Sequence, residues 1–173
     1  SLTPQGGGPH LPDFYRRYPD IDLMIGVSDR QVDLIQEGVD CVIRTGELNN
    51  SSLVARPLGR FRWVTCASPD IFGKWRAPSP EALSQHRAVH YFSGQARRAD
   101  EFRFVRHGET FSVPVSGNAA VKETGLHIKM CLAGFGLAQL AENIVADHLQ
   151  EGRLVEVLTD WQPPPVPVTF FDC

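Results

Sequence analysis

Tyr18-Pro19-Asp20-Ile21-Asp22-Leu23, then Gly26-Val27-Ser28-Asp29, then Asp40-Cys41-Val42-Ile43-Arg44-Thr45-Gly46 is the stretch that decides the fold. Leu11, Phe14, Tyr15 and Tyr18 fall at helical spacing, and Pro19 ends that helix because the residue before proline avoids the helical region. Ile21, Leu23 and Ile25 alternate with Asp22, Met24 and Gly26, a strand pattern. Ser28-Asp29-Arg30-Gln31 forms a capping box for a second helix, with Val32 and Ile35 as its buried stripe and Gly38 as its left-handed exit. Val39 to Ile43 follows as a short buried strand. Strand, helix, strand in this order implies a parallel pair, hence an α/β protein.

The remainder of the chain extends the pattern. Leu53 to Leu58 and Phe61 to Ala67 read as strands turning at Gly59-Arg60. Short helices are expected at Asp70 to Trp75 and at Pro80 to Gln85, the latter with Ser79 as cap. Ala88 to Phe92 reads as a buried strand. Phe102 to Arg106 and Thr110 to Val115 form a hairpin through His107-Gly108-Glu109. Ala119 to Val121 is a short strand. Thr124 is expected to cap a helix stopped by Gly134, and Gly136 to Leu140 forms an apolar strand. Asn143 is expected to cap a helix ending near Gly152, before a strand of Leu154, Val155 and Val157. Trp161-Gln162-Pro163-Pro164-Pro165 is a stiff connector, since three prolines forbid helix and remove ladder donors. Val166 to Phe171 closes as a strand. Two α/β lobes follow, 1–67 with 161–173 and 68–160, joined by two crossings that make a hinge and a cleft.

With 173 residues and 42% hydrophobic content the chain can bury a core. A net charge of −3 argues against a free-standing nucleic-acid-binding module. No apolar run is long enough for a membrane span, and residues 1–10 lack the features of a signal peptide. Cys41, Cys66, Cys131 and Cys173 contain no CxxC pair, so no zinc site is indicated. The first three lie in apolar runs and read as buried free thiols in a reducing cytoplasm, with a redox-sensing pair as the alternative. The six histidines show no paired-ligand spacing, and no GxSxG, Walker A or GxGxxG motif occurs. No metal, cofactor or catalytic residue is expected, and an enzyme is disfavoured.

Tyr18 to Gly46 resembles, in order, the effector-binding domain of LysR-type transcriptional regulators. So do Ser52-Leu53-Val54-Ala55-Arg56-Pro57-Leu58-Gly59, Val64-Thr65-Cys66-Ala67-Ser68-Pro69, Ala133-Gly134-Phe135-Gly136-Leu137-Ala138 and Gly152-Arg153-Leu154-Val155. The resemblance implies a two-lobed, type 2 periplasmic-binding-protein-like fold, each lobe a mixed sheet flanked by helices, with a small molecule sensed between the lobes. It implies a cytoplasmic homodimer or higher homo-oligomer that reaches DNA only through a separate winged helix-turn-helix, which residues 1–10 do not resemble. A solute-binding protein for transport has the same fold and is the alternative. At the start of the helix after Val121 the family often carries Asn-Asp, whereas this chain has Lys122-Glu123.

Open α/β sheets bind ligands beyond the carboxyl ends of their strands. Ser1-Leu2-Thr3-Pro4 resembles the end of the family's first strand, which brings in Thr3. Ser28 is a helix cap in any case, and its helix N-terminus also suits an anion. Arg44, Thr45 and Gly46 follow a buried strand; Arg44 is either a surface charge or a guanidinium fork for a carboxylate. Phe92 and Ser93 end the matching strand of the second lobe, Phe92 being core or stacking platform. Lys122 is a solvated charge or points at an acidic ligand, and Thr124 repeats the logic of Ser28. Gly136 marks a close backbone approach. Together these imply a small, anionic organic effector. Phe14, Tyr15 and Tyr18 offer aromatic area for pairing, with Phe14 the one expected to face its own sheet.

Overall fold

The computed structural model describes residues 11–27, 36–46, 54–75, 78–92 and 101–172. In chain order its first elements are α1 (Leu11–Arg17), β1 (Cys41–Thr45), β2 (Val54–Phe61), β3 (Trp63–Ala67), α2 (Pro69–Phe72) and a 3-10 turn (Pro80–Gln85). β4 (Val89–Tyr91), β5 (Phe102–Arg106), β6 (Glu109–Val113), β7 (Ala119–Val121) and α3 (Thr124–Leu132) follow. β8 (Ala138–Ala141), α4 (Glu142–Gln150), β9 (Val155–Glu156) and β10 (Val166–Asp172) complete the set. The chain divides into two compact units, Ser1–Arg60 with Pro167–Cys173, and Phe61–Val166.

In the first unit β10 lies between β1 and β2. β1 runs antiparallel to β10, with Cys41 opposite Asp172 and Thr45 opposite Val168. The expected parallel partner at Ile21 to Ile25 does not form a strand: residues 21–27 are exposed and outside any ladder among the described residues. Alternation makes a segment fit for a strand, but only a paired backbone makes it one. The capping box at Ser28 and Gln31 lies outside the described residues. Gly38 takes φ 63°, the left-handed exit read from the sequence. β2 runs through Gly59, and the chain breaks at Arg62 instead of turning at Gly59-Arg60. Phe14 and Cys41 are exposed, against expectation, and α1 buries none of its residues.

The second unit begins before β3. Phe61 to Ala67 reads as first-lobe strand in the sequence, yet Trp63–Ala67 pairs antiparallel with β8 and β9, both from the second unit. Residues 161–166 also stay with that unit. Val105 N donates to Gln162 O at 2.8 Å, and the Arg106 guanidinium lies 4.6 Å from the Trp161 ring centre. Arg62 bridges β8's exit and β9, bonding Glu142 at 2.6 Å and Glu156 at 2.7 Å.

β3 is buried on both faces, and its pleat sends alternate residues into two cores. Val64 and Cys66 join Cys131, Ala138, Leu140, Val145 and Leu154. Ala67 joins Leu83, Phe102, Phe104, Leu137 and Val157. Cys131 Sγ donates to Cys66 O at 3.7 Å. The Cys66 thiol is pushed up by its hydrogen bond with Cys131 and then by burial, which keeps Cys66 a protonated core group. β5 and β6 meet across a two-residue turn, with Arg106 opposite Glu109. His107 and Gly108 have φ of 50° and 79°, the pair of positive values that a type I′ hairpin needs.

Among the described residues, the two nine-residue helices end the same way. Phe135 N donates to Met130 O and Gly134 N to Cys131 O, each at 3.1 Å, with Gly134 at φ 79°. Arg153 N to His148 O and Gly152 N to Leu149 O repeat this at the end of α4. These are Schellman closures, and they are why glycine ends each helix in the sequence. The helix starts differ from expectation. Ala141, not Asn143, holds the cap position of α4, and Ser79 makes no side-chain cap bond to the 3-10 turn.

Candidate functional site

β4 and β7 are parallel, with Val89 opposite Ala119 and Tyr91 opposite Val121. Their carboxyl ends therefore lie side by side. Phe92 N donates to Val121 O at 2.9 Å, and the Tyr91 hydroxyl donates to Lys122 O at 3.1 Å. This ladder sets Phe92 beside Val121, one residue before Lys122. Phe92 is half-buried and Lys122 exposed, and Lys122 has no carboxylate partner among the described residues. In the first unit Arg44 is half-buried in β1 opposite Thr169, and Thr45 is exposed. Gly46 turns the chain at φ 111° while its N donates to Pro167 O at 3.0 Å. Thr3, Ser28 and Ser93 lie outside the described residues.

Two expectations for this site are corrected. Thr124 is not the cap of α3 but its first residue. Glu123 is the cap, its carboxylate accepting from Gly125 N and Leu126 N, each at 2.7 Å. Those bonds hold the Glu123 carboxyl below the usual range, Gly125's first and Leu126's next. Two amides that could have met an anion are thus already taken by a side chain of the same protein. Gly136 is not with the other candidates. It lies at the amino end of β4, against the backbone of Arg87 and Ala88. That is about 16 Å of extended chain from Phe92.

The fold also joins two histidines that look unrelated in the sequence. His127 of α3 is buried and its Nε2 bonds Val89 O at 2.7 Å, while His90 of β4 bonds Val115 O at 2.6 Å through Nε2. Burial is the main force lowering the His127 pKa; the Val89 bond opposes it, and the nearby His90 adds to it. Neutral imidazole is favoured in the fold, so the unfolded chain binds a proton more readily. Stability is therefore level above the ordinary histidine value of 6.5 and declines as pH drops below it. His127→Gln keeps an N–H for Val89 and removes the titration. Urea midpoints measured from pH 7.5 to pH 5 should fall less steeply for this variant, and parallel curves would refute the assignment. A sequence signal for this pair exists only in hindsight: His90 and His127 each sit where the strand or helix pattern places a core residue.

A family model described as the LysR substrate binding domain matches residues 7–171. The chain belongs to that family. It is 36% identical over 161 residues to the HTH-type transcriptional repressor PA14_22550 of Pseudomonas aeruginosa, covering 92% of this chain and 51% of that protein. It is 33% identical over 159 residues to the uncharacterized HTH-type regulator YhjC of Escherichia coli, covering 91% and 53%. Among solved structures, CrgA of Neisseria meningitidis, a LysR-type transcriptional regulator, matches at TM-score 0.79 and 26% identity, covering 95% of this chain and 56% of that one. The LysR-type domain spans about half the length of the curated relatives it matches. Its fold is the two-lobed, type 2 periplasmic-binding-protein-like one. The relatives are named as HTH-type transcriptional regulators, which favours the regulator reading over the enzyme and transport ones. Among the described residues no helix is long and apolar enough to cross a membrane.

Proposed function

We propose that this LysR-type domain senses a small organic anion and passes its binding, through a homodimer, to DNA-binding domains elsewhere in a cytoplasmic regulator. The observation that carries the anion preference is a pair of unneutralised cations at strand ends. Arg44 and Lys122 have no carboxylate partner among the described residues, and the one acid beside Lys122, Glu123, is tied to helix amides. Arg44, Thr45, Gly46, Phe92, Lys122 and Thr124 are the proposed contacts among those residues, with Thr3, Ser28 and Ser93 proposed from the sequence. The Glu123 carboxylate narrows the choice further: an effector near α3 meets a fixed negative charge, so its own anionic group is better held by Lys122 than by the helix end.

Thermal-shift screening of small aliphatic and aromatic carboxylates tests this. A carboxylate should raise the melting temperature, and Lys122→Gln or Arg44→Gln should weaken its binding by about tenfold or more, the loss expected for one charge-assisted contact. Stabilisation by neutral or cationic compounds alone would sink the idea.

Dimerisation is supported by α1. Phe14, Tyr15 and Tyr18 are all exposed, with Tyr15 at 62%, and the Phe14 and Tyr18 rings lie 5.1 Å apart as one aromatic patch. Aromatic residues are enriched in protein interfaces, and two-fold pairing is the commonest way to cover such a patch. The chain should sediment as a dimer at micromolar concentration, and Tyr15→Asp should shift it toward monomer. A monomer at high concentration would place the pairing surface outside this domain.

A further inference from the structure

We propose that the second unit carries another small-molecule site, for an anion on an apolar or aromatic body, at the amino end of β4. It is distinct from the proposed effector contacts and goes beyond that reading. An open depression of about 360 Å³ lies there, at the lower end of the size range of ligand pockets. Lys74 and Arg87 both line it, and neither has a carboxylate partner among the described residues. Ile71 and Phe135 supply apolar walls, Phe135 with 60% of its surface exposed. Two cations beside an unpartnered aromatic ring match a carboxylate or phosphate carried on a flat apolar group.

The walls are held by backbone bonds, which lowers the cost of ordering them around a ligand. Leu137 N donates to Arg87 O and Val89 N to Leu137 O, both at 2.8 Å, which clamps the β8 entry to the β4 entry. The Schellman closure of α3 fixes Gly134 and Phe135. His86, also lining it, stacks on Trp75 with ring centres 4.6 Å apart and so pins the 3-10 exit to the segment that follows α2. Gly136 leaves no room for a side chain, and its lack of one is what keeps this wall close to Arg87. Behind Gly134 lies the Ser68 hydroxyl, buried and without a hydrogen-bond partner. A Cβ built on Gly134 would sit 3.4 Å from it. Buried hydroxyls without partners are uncommon, and this one lies next to Gly134, a residue of the wall.

The test is a ¹H–¹⁵N correlation titration of the full chain with benzoate and, separately, phenyl phosphate, with inorganic phosphate and benzyl alcohol as partial probes. At least one of the two complete probes should shift the amides of Lys74, Arg87 and Gly134–Gly136 in a saturable way. The variant combining Lys74→Gln and Arg87→Gln should weaken that binding by about tenfold or more, and Phe135→Ser should weaken it as well. Lys122→Gln should leave it unchanged, so failure here and failure of the effector proposal are separable. All three changed side chains are exposed, and unshifted resonances elsewhere in the spectrum check that the variants fold. The proposal is overturned if no saturable shift appears, or if shifts are confined to Phe92, Lys122 and Thr124. It is equally overturned if the double variant binds as well as the parent, or if inorganic phosphate or benzyl alcohol alone reproduces the full effect.

Discussion

Gly136→Ala is expected to destabilise the second unit by about 3 kcal/mol or more, the range of severe overpacking. A Cβ at this position would lie 2.7 Å from Arg87 O, 2.9 Å from Ala88 C and 3.0 Å from Ala88 Cα. All three are backbone atoms, so no side chain can swing aside. Nor can the backbones part freely. The bonds from Leu137 N to Arg87 O and from Val89 N to Leu137 O flank the clash, and the 137–88 bridge joins the same segments. Relief requires breaking at least one buried bond. Gly26→Ala is the control, since a Cβ there meets nothing within 4 Å, and its effect should stay within about 0.5 kcal/mol. Urea unfolding followed by Trp fluorescence reports both. Equal midpoints for the two variants would mean that the 136–88 approach is looser than described.

Phe104→Ala should cost about 3 to 5 kcal/mol, as for other fully buried aromatic truncations. Phe104 is wholly buried, packs in the core with Leu83, Leu137 and Val113, and meets the Phe111 ring at 5.9 Å. Arg103, its neighbour in β5, points to the other face and is exposed. Arg103→Ala should change stability by about 0.5 kcal/mol or less, because the ties of Arg103 to Gln139 run through its main-chain N and O. The comparison tests strand phase directly. A one-residue slip of the hairpin would exchange the two faces and the two outcomes.

How much of this was legible beforehand depended on how local each determinant is. The hairpin turn at His107-Gly108, the glycine exits of α3 and α4 and the strands Phe102–Arg106 and Ala119–Val121 were readable from a few neighbouring residues, because turn and cap chemistry acts within a turn's length. The family resemblance was readable as well, through ordered stretches from Tyr18 to Val155, and with it the fold class. The Glu123 cap was missed because a search for Ser, Thr, Asp or Asn passes over a glutamate one residue before Thr124.

What the sequence by itself determined is therefore the set of elements that close on themselves, together with the family those elements spell out. Tertiary structure alone decided which strands found partners. The alternation at Ile21 to Ile25 carries no information about a ladder, and Trp63–Ala67 joined the second unit because β8 and β9, more than seventy residues away, offered its edges. It alone brought His90 to His127, Cys66 to Cys131, and Lys74 and Arg87 to one depression. It also set Gly136 against Arg87 and Ala88, at the end of β4 away from Phe92. Backbone hydrogen bonds must be satisfied by whatever chain lies alongside, and burial depends on what packs above, so neither quantity is a property of the residue that displays it.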